Sequence, residues 1–238
     1  APSQLPSPTR FKGMMNCSKS FVILLFLFSV VALAGAFCAP PSKNARGGST
    51  THLCMKRPLL DQIATALFKL ENNRVAASSV EDDQGRMGEP MEWSESTSLA
   101  NKFSTVVASN PLGYRFKQWV ADIVAGDYNQ EQVNTTINDF IENNPVAMFS
   151  FTTCPFCRRA KDLLEERNIS YTAMELDELD GNVGNEIRAV LGKRTKRTSV
   201  PSIFIGGQYV GGCNDGNPGL VPLMESGELE NMLKKISQ

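Results

Sequence analysis

"FSFTTCPFCRRAKDLLEE", residues 149–166, sets two cysteines, Cys154 and Cys157, at the seam where an apolar run passes into a helical one. Upstream, "VAMFSF" (146–151) reads as a short buried strand. Downstream, "FCRRAKDLLEER" reads as the helix that follows that strand. Pro155 suits a first helical turn, because its missing N–H would have no partner there. Cys154 therefore stands where free backbone N–H groups and the positive end of the helix dipole meet its sulfur. Arg158 and Arg159 add positive charge nearby. A thiolate is the reactive form of cysteine, and such surroundings lower its pKa from ~8.5 to as low as ~3.5. Cys157 is one helical turn on, within reach of a disulfide, and its deeper position is expected to keep it protonated. The pair reads as an attacking and a resolving thiol.

The rest of the chain narrows what such a pair can mean. With 238 residues, 42% of them hydrophobic, there is room for one or two domains with a buried core. The formal net charge of −1 points to no nucleic-acid partner. Six cysteines are too few and too irregularly spaced for a disulfide-stapled secreted module. His52 is the single histidine, which removes Cys-His and Ser-His catalysis and most histidine zinc sites. A zinc knuckle would need a second Cys or His pair at suitable spacing, and none is present, so no metal is assigned. Two inert core cysteines are the remaining alternative on the C-x-x-C alone; next to a βαβ pattern the redox reading is the stronger.

Working outward, "SYTAMEL" is a second strand, "NEIRAVL" a second helix, and "SIFI" and "YVG" flank a "GGQ" turn as a hairpin. "LVPLMESGELENMLKKI" supplies closing helices. The fold class is α/β, a mixed four-stranded sheet flanked by helices, with the domain over 134–238. At its start, Val133, Ile137, Phe140 and Ile141 form an apolar helical stripe. Residues 99–133 read as a helical extension: Leu99, Phe103, Val106 and Val107 form one stripe; Phe116, Trp119, Val120, Ile123 and Val124 form another, stopped by Gly126. Both are read as ordinary core faces. Residues 58–98 read as a helix bearing Leu59, Leu60, Ile63 and Leu67 on one face, then a polar, disordered linker from residue 71.

The front end has a different character. No acid precedes Asp61, whereas Arg10, Lys12, Lys19, Lys43, Arg46, Lys56 and Arg57 do. "FVILLFLFSVVALA" (21–34) is shorter than the ~20 residues that span a bilayer, follows Lys19, and runs into the small residues "AGA". Residues 1–36 therefore read as a signal-peptide region, with Met14 or Met15 the expected start, and residues 37–57 as a transit-peptide-like segment. The junction Ala36, Phe37, Cys38, Ala39, Pro40 resembles the two-part plastid presequence of algae with complex plastids, where an aromatic residue at the cleavage point directs import. That resemblance implies a plastid stroma address; simple secretion is the alternative.

"TCPFC" (153–157), "TSVP" (198–201) and "GGCND" (211–215), in that order, resemble the motifs of a dithiol glutaredoxin of the thioredoxin-like fold. The resemblance implies a glutathione-dependent thiol–disulfide oxidoreductase with Cys154 and Cys157 as catalytic thiols. It implies glutathione as co-substrate, held by Thr153, Phe156, Ser199, Val200, Pro201, Gly212, Asn214 and Asp215. Pro201 is then a cis-proline facing Cys154, Val200 pairs through its backbone with the cysteinyl part of glutathione, and Gly212, Asn214 and Asp215 take the γ-glutamyl end. The implied partners are glutathionylated or disulfide-bonded proteins, met by a monomer with no membrane association once processed. A glutathione-ligated [2Fe–2S] carrier is the alternative function; Pro155 counts against it, since cluster-binding relatives more often have Gly or Ser there. The family often has a lysine three residues before the first cysteine, where this chain has Phe151, and Phe156 replaces the usual tyrosine.

Overall fold

In the computed structural model, residues 58–99, 101–102 and 111–236 are described. The signal-peptide and transit-peptide segments (1–36 and 37–57), and the Phe103, Val106 and Val107 part of one expected helix, lie outside the described residues. Helices are α1 (Pro58–Ser78), α2 (Pro111–Ala125), α3 (Gln130–Asn143), α4 (Pro155–Glu166), α5 (Val183–Thr195), α6 (Leu220–Ser226) and α7 (Glu228–Ile236). Strands are β1 (Val80–Glu81), β2 (Met87–Gly88), β3 (Val146–Ser150), β4 (Thr172–Glu175), β5 (Ser202–Ile205) and β6 (Gln208–Gly211).

The larger sheet runs β4-β3-β5-β6. β3 pairs parallel with β4 and antiparallel with β5, which pairs antiparallel with β6. This is the expected thioredoxin-like mixed sheet. β3 is buried along its whole length because both of its faces are covered. Val146 and Met148 point to a core shared with Ala160 and Leu164 of α4 and with Leu220, Leu223 and Leu229 of α6 and α7. Ala147 and Phe149 point to a second core with Val133, Ile137 and Ile141 of α3 and Ile187, Val190 and Leu191 of α5. The alternation is the period-two geometry of a strand. The β5–β6 turn closes on Gly206 and Gly207, both at positive φ (57° and 78°), the requirement of a tight two-residue hairpin loop. α3 begins on Asn129, whose side-chain oxygen accepts hydrogen bonds from the N–H groups of Glu131 and Gln132.

Three features differ from expectation. Residues 71–98, expected as a disordered linker, hold the end of α1, the β1–β2 hairpin and a 3₁₀ turn at Met91–Ser94. This strap is ordered by tertiary contacts that no local pattern announces: Asp82 caps its turn by accepting from the Gln84 and Arg86 N–H groups, and the 3₁₀ turn packs on α4. Second, the buried face of α2 is Gly113, Gln118, Ala121 and Ala125, not the large apolar stripe. Trp119 is 42% exposed. The reason is close approach: small residues let α2 lie against Ala189 of α5, and Gln118 donates to the Ala189 carbonyl at 3.0 Å. Third, α5 runs to Thr195, beyond the "NEIRAVL" (185–191) expected for that helix, so the basic stretch "KRTKR" (193–197) is partly helical, with Lys196 closing it in the left-handed region (φ 62°).

Candidate active site

The strand-to-helix seam places Cys154 as the N-cap of α4, in extended backbone (φ −82°, ψ 120°), with Pro155 the first helical residue. Its carbonyl accepts from the Cys157 and Arg158 N–H groups, both at 3.1 Å, which starts the helix under the sulfur. Cys154 is half-buried and Cys157 fully buried. The Cys154 sulfur lies 3.8 Å from the Val200 carbonyl oxygen, and the Val200–Pro201 peptide is cis.

The two thiols are held in opposite protonation states. A hydrogen bond from the Cys157 thiol, with backbone N–H groups of Cys157 and Phe156, draws Cys154 below the ordinary cysteine value. Burial and the Glu89 carboxylate oppose this. Burial, reinforced by the charge on Cys154, pushes Cys157 well above the ordinary value. The arrangement can present one thiolate at the surface and hold a proton on its neighbour.

The other expected residues converge to different degrees. A Cβ built on Gly212 would lie 3.4 Å from the Asp215 carboxylate and 3.6 Å from the Pro201 carbonyl, so these three share one corner. Gly212 donates to the Asp215 carbonyl at 2.8 Å, and Arg197 holds the Asp215 carboxylate at 2.8 Å. Phe156 packs against the core beneath α4. Ser199 precedes Val200 in the same loop, and its carbonyl takes the Ser202 hydroxyl at 3.5 Å. Asn214 is turned away to the strap, where its side-chain amide donates to the Ser94 carbonyl at 2.6 Å and to Asn101 at 3.1 Å. Thr153 also meets the strap, its carbonyl accepting from the Glu89 N–H at 3.0 Å. Cys213 is buried, which pushes its thiol up to about 12.

Positive charge reaches the site from an unexpected residue. Arg158 is buried and spent on the strap, bonded to the Asp82 carboxylate and to the Arg86 and Glu89 carbonyls. Arg188 of α5 lies over the Phe151 ring, 5.6 Å from its centroid, donates to the Thr198 carbonyl at 2.8 Å, and feels the charge of Cys154. Phe151, at the position where the family often has a lysine, thus carries an arginine guanidinium over its ring. Arg188 carries no motif and is 34 positions from Cys154, so only the packing of α5 brings it here.

Comparison with known proteins places these features. The family model described as Glutaredoxin matches residues 146–210. Glutaredoxin-1 of Rhizophagus irregularis is 39% identical over 102 residues, 43% of this chain and 95% of that protein. Glutaredoxin-2 of Schizosaccharomyces pombe is 41% identical over 98 residues, covering 41% of this chain and 84% of its own length. A rice protein named Glutaredoxin-C4, chloroplastic, is 44% identical over 94 residues, 36% of this chain and 67% of its own. With 95% of one relative covered at 39% identity and 84% of another at 41%, the chain belongs to the glutaredoxin family.

Proposed function

We propose that the chain reduces protein–glutathione mixed disulfides and protein disulfides at the expense of glutathione, through Cys154 and Cys157. One observation carries the reading: a thiolate-favouring Cys154 at the mouth of α4, with a proton-holding Cys157 one turn beneath it. The Cys154 thiolate attacks one sulfur of the substrate disulfide; a new S–S bond forms as the old one breaks, and the electron pair leaves on the departing thiolate. When Cys154 holds glutathione, a second glutathione thiolate attacks, releasing oxidised glutathione and restoring the Cys154 thiolate. When Cys154 holds a protein, Cys157 loses its proton and attacks the Cys154 sulfur, forming a Cys154–Cys157 disulfide as the protein leaves as a thiol; two glutathione molecules then reduce that disulfide and leave as oxidised glutathione. Val200, Pro201, Gly212 and Asp215, with Thr153 and Ser199, form the surface on which glutathione rests; Asn214, its amide bonded to the strap, and Phe156, packed against the core, support that surface rather than present their side chains to it.

The presequence-like front end and the rice relative named chloroplastic support a plastid address. The test of the activity is turnover of a glutathionylated peptide with glutathione, glutathione reductase and NADPH. Wild-type chain should consume NADPH and Cys154→Ser should not; equal rates in both would overturn the reading.

A further inference from the structure

The apolar stripe of α2 that is absent from the core has another use. Phe116, Val120 and Val124 form one wall of a cavity of about 160 Å³ between α2 and the α5–β5 region. Lys117 and Arg188 also line it, with Asn185, Thr198 and Ser199. A shallower continuation is lined by Tyr114, Lys196 and Arg197. The cavity is thus apolar on one side and cationic on the other.

The helix carrying Lys117 is clamped. Tyr114 donates to the Gly192 carbonyl at 3.2 Å, Gln118 donates to the Ala189 carbonyl, Lys193 pairs with Asp122 at 3.0 Å, and Asn182 donates to the Val124 and Ala125 carbonyls. Gly192 permits this closeness, since a Cβ there would collide with the Gln118 side chain and the Thr198 methyl. Lys117 is therefore held between two anchored neighbours. No carboxylate pairs with Lys117 or Arg188 within ion-pair distance among the described residues. The hydroxyl of Thr198, a residue only 3% exposed, has no hydrogen-bond partner. The Glu71 charge reaches Arg188 and the Asp215 charge reaches Lys117 only from beyond ion-pair distance, so two cations without a direct carboxylate partner and an orphaned buried hydroxyl surround one cavity, a built receptor for an anion. Burial and the facing charges of Arg188 and Arg197 disfavour the Lys117 ammonium, a cost that an incoming carboxylate would relieve.

The cavity adjoins the reacting sulfur through Ser199, the neighbour of Val200 whose carbonyl meets Cys154. We infer that Lys117, supplied by the helical extension, joins Arg188 in binding the glycyl carboxylate of glutathione when its sulfur is at Cys154. This rests on the proposed glutathione-dependent activity and adds a specificity-determining residue from outside the segment that the family model matches. Residue 117 then supplies from α2 the positive charge that residue 151 lacks.

The experiment is a cross of enzyme and substrate in the full chain. Wild type, Lys117→Gln and Lys117→Arg are assayed with peptides glutathionylated by glutathione or by its glycyl ethyl ester, which lacks that negative charge. Lys117→Gln should raise KM for the carboxylate substrate by roughly three- to tenfold, with kcat little changed, and Lys117→Arg should restore most of it. On the ester substrate, wild type and Lys117→Gln should have the same KM. An equal penalty on both substrates, or no penalty on either while wild type turns over, would overturn the inference and leave the activity standing. Absence of turnover in wild type would instead overturn the activity and the subsite with it.

Discussion

Arg158 and Asp82, 76 positions apart in the chain, form an ion pair with a nitrogen–oxygen distance of 2.9 Å, the arginine side chain 2% and the aspartate 9% exposed. The pair fastens the strap to the helix that begins at the candidate nucleophile. Replacing Arg158 by Ala strands the Glu89 carbonyl, leaves the Arg86 carbonyl with the Asp82 N–H alone, and empties a large buried volume. Asp82 keeps its other partner, Arg86, at 2.9 Å, so the cost belongs at the low end for a broken buried pair, about 3 kcal/mol. Chemical denaturation of the two chains measures it; a loss below 1 kcal/mol would mean the strap is not energetically coupled to α4.

The same aspartate gives stability an acid limit. Burial works against its charged form, but hydrogen bonds from the Arg86 N–H, the Arg86 guanidinium and the Gln84 N–H outweigh it and hold Asp82 at about 2. Because the folded value lies below the unfolded one of ~3.9, its contribution is present above pH ~4 and is lost as pH falls toward 2. Asp82→Asn should flatten that limb of the stability curve, read by denaturation midpoints across the acid range. An unchanged limb would place the acid sensitivity elsewhere.

Cys157 should have a role before it ever resolves a disulfide. Its thiol hydrogen bond is the largest influence lowering Cys154, so Cys157→Ala should raise the Cys154 pKa. Ultraviolet thiolate absorbance against pH gives the value directly. The variant should keep deglutathionylation, with its acid limb moved to higher pH, and lose most protein-disulfide reduction. Retention of full protein-disulfide reduction would refute the division of labour.

Glu89 acts in the opposite sense. Its carboxylate raises the Cys154 pKa, so Glu89→Gln should lower it. The acid limb of the rate profile should move down with it. A shift upward would show that the carboxylate instead supports the strap geometry around Thr153.

The address can be tested apart from the chemistry. Residues 14–60 fused to a fluorescent protein should enter the stroma of a complex-plastid alga, and Phe37→Ala should leave the fusion outside it. Stromal delivery with alanine in place would remove the aromatic residue from the import signal.

What could be read from the sequence followed the range of its cues. The strand–Cys–Pro–helix seam, the Gly206-Gly207 turn and the stop at Gly126 are set by dihedral needs and periodicity within a few residues, and each has the expected form. Asp82, Glu89 and Ser94 looked like linker because polar residues ordered by distant partners carry no period. The stripe at Phe116, Val120 and Val124 has correct helical spacing, but spacing cannot say whether an apolar face meets a core or walls a cavity. Arg188 was invisible for the same reason: its place over Phe151 is a property of how α5 packs.

The buried thiol of Cys213 bears on how the protein can be handled. Of the three cysteines among the described residues, Cys213 and Cys157 are shielded and hold their protons far above neutrality, while Cys154 is half-open and biased toward ionisation. Alkylation requires both access and a thiolate. Brief treatment near neutral pH with a mild alkylating reagent should therefore stop at one adduct on the fragment spanning 58–236, carried by Cys154. Once Cys17, Cys38 and Cys54 of the front end are accounted for, the active thiol can be titrated, tagged or fitted with a spectroscopic probe by ordinary labelling chemistry, with Cys157 and Cys213 left in place.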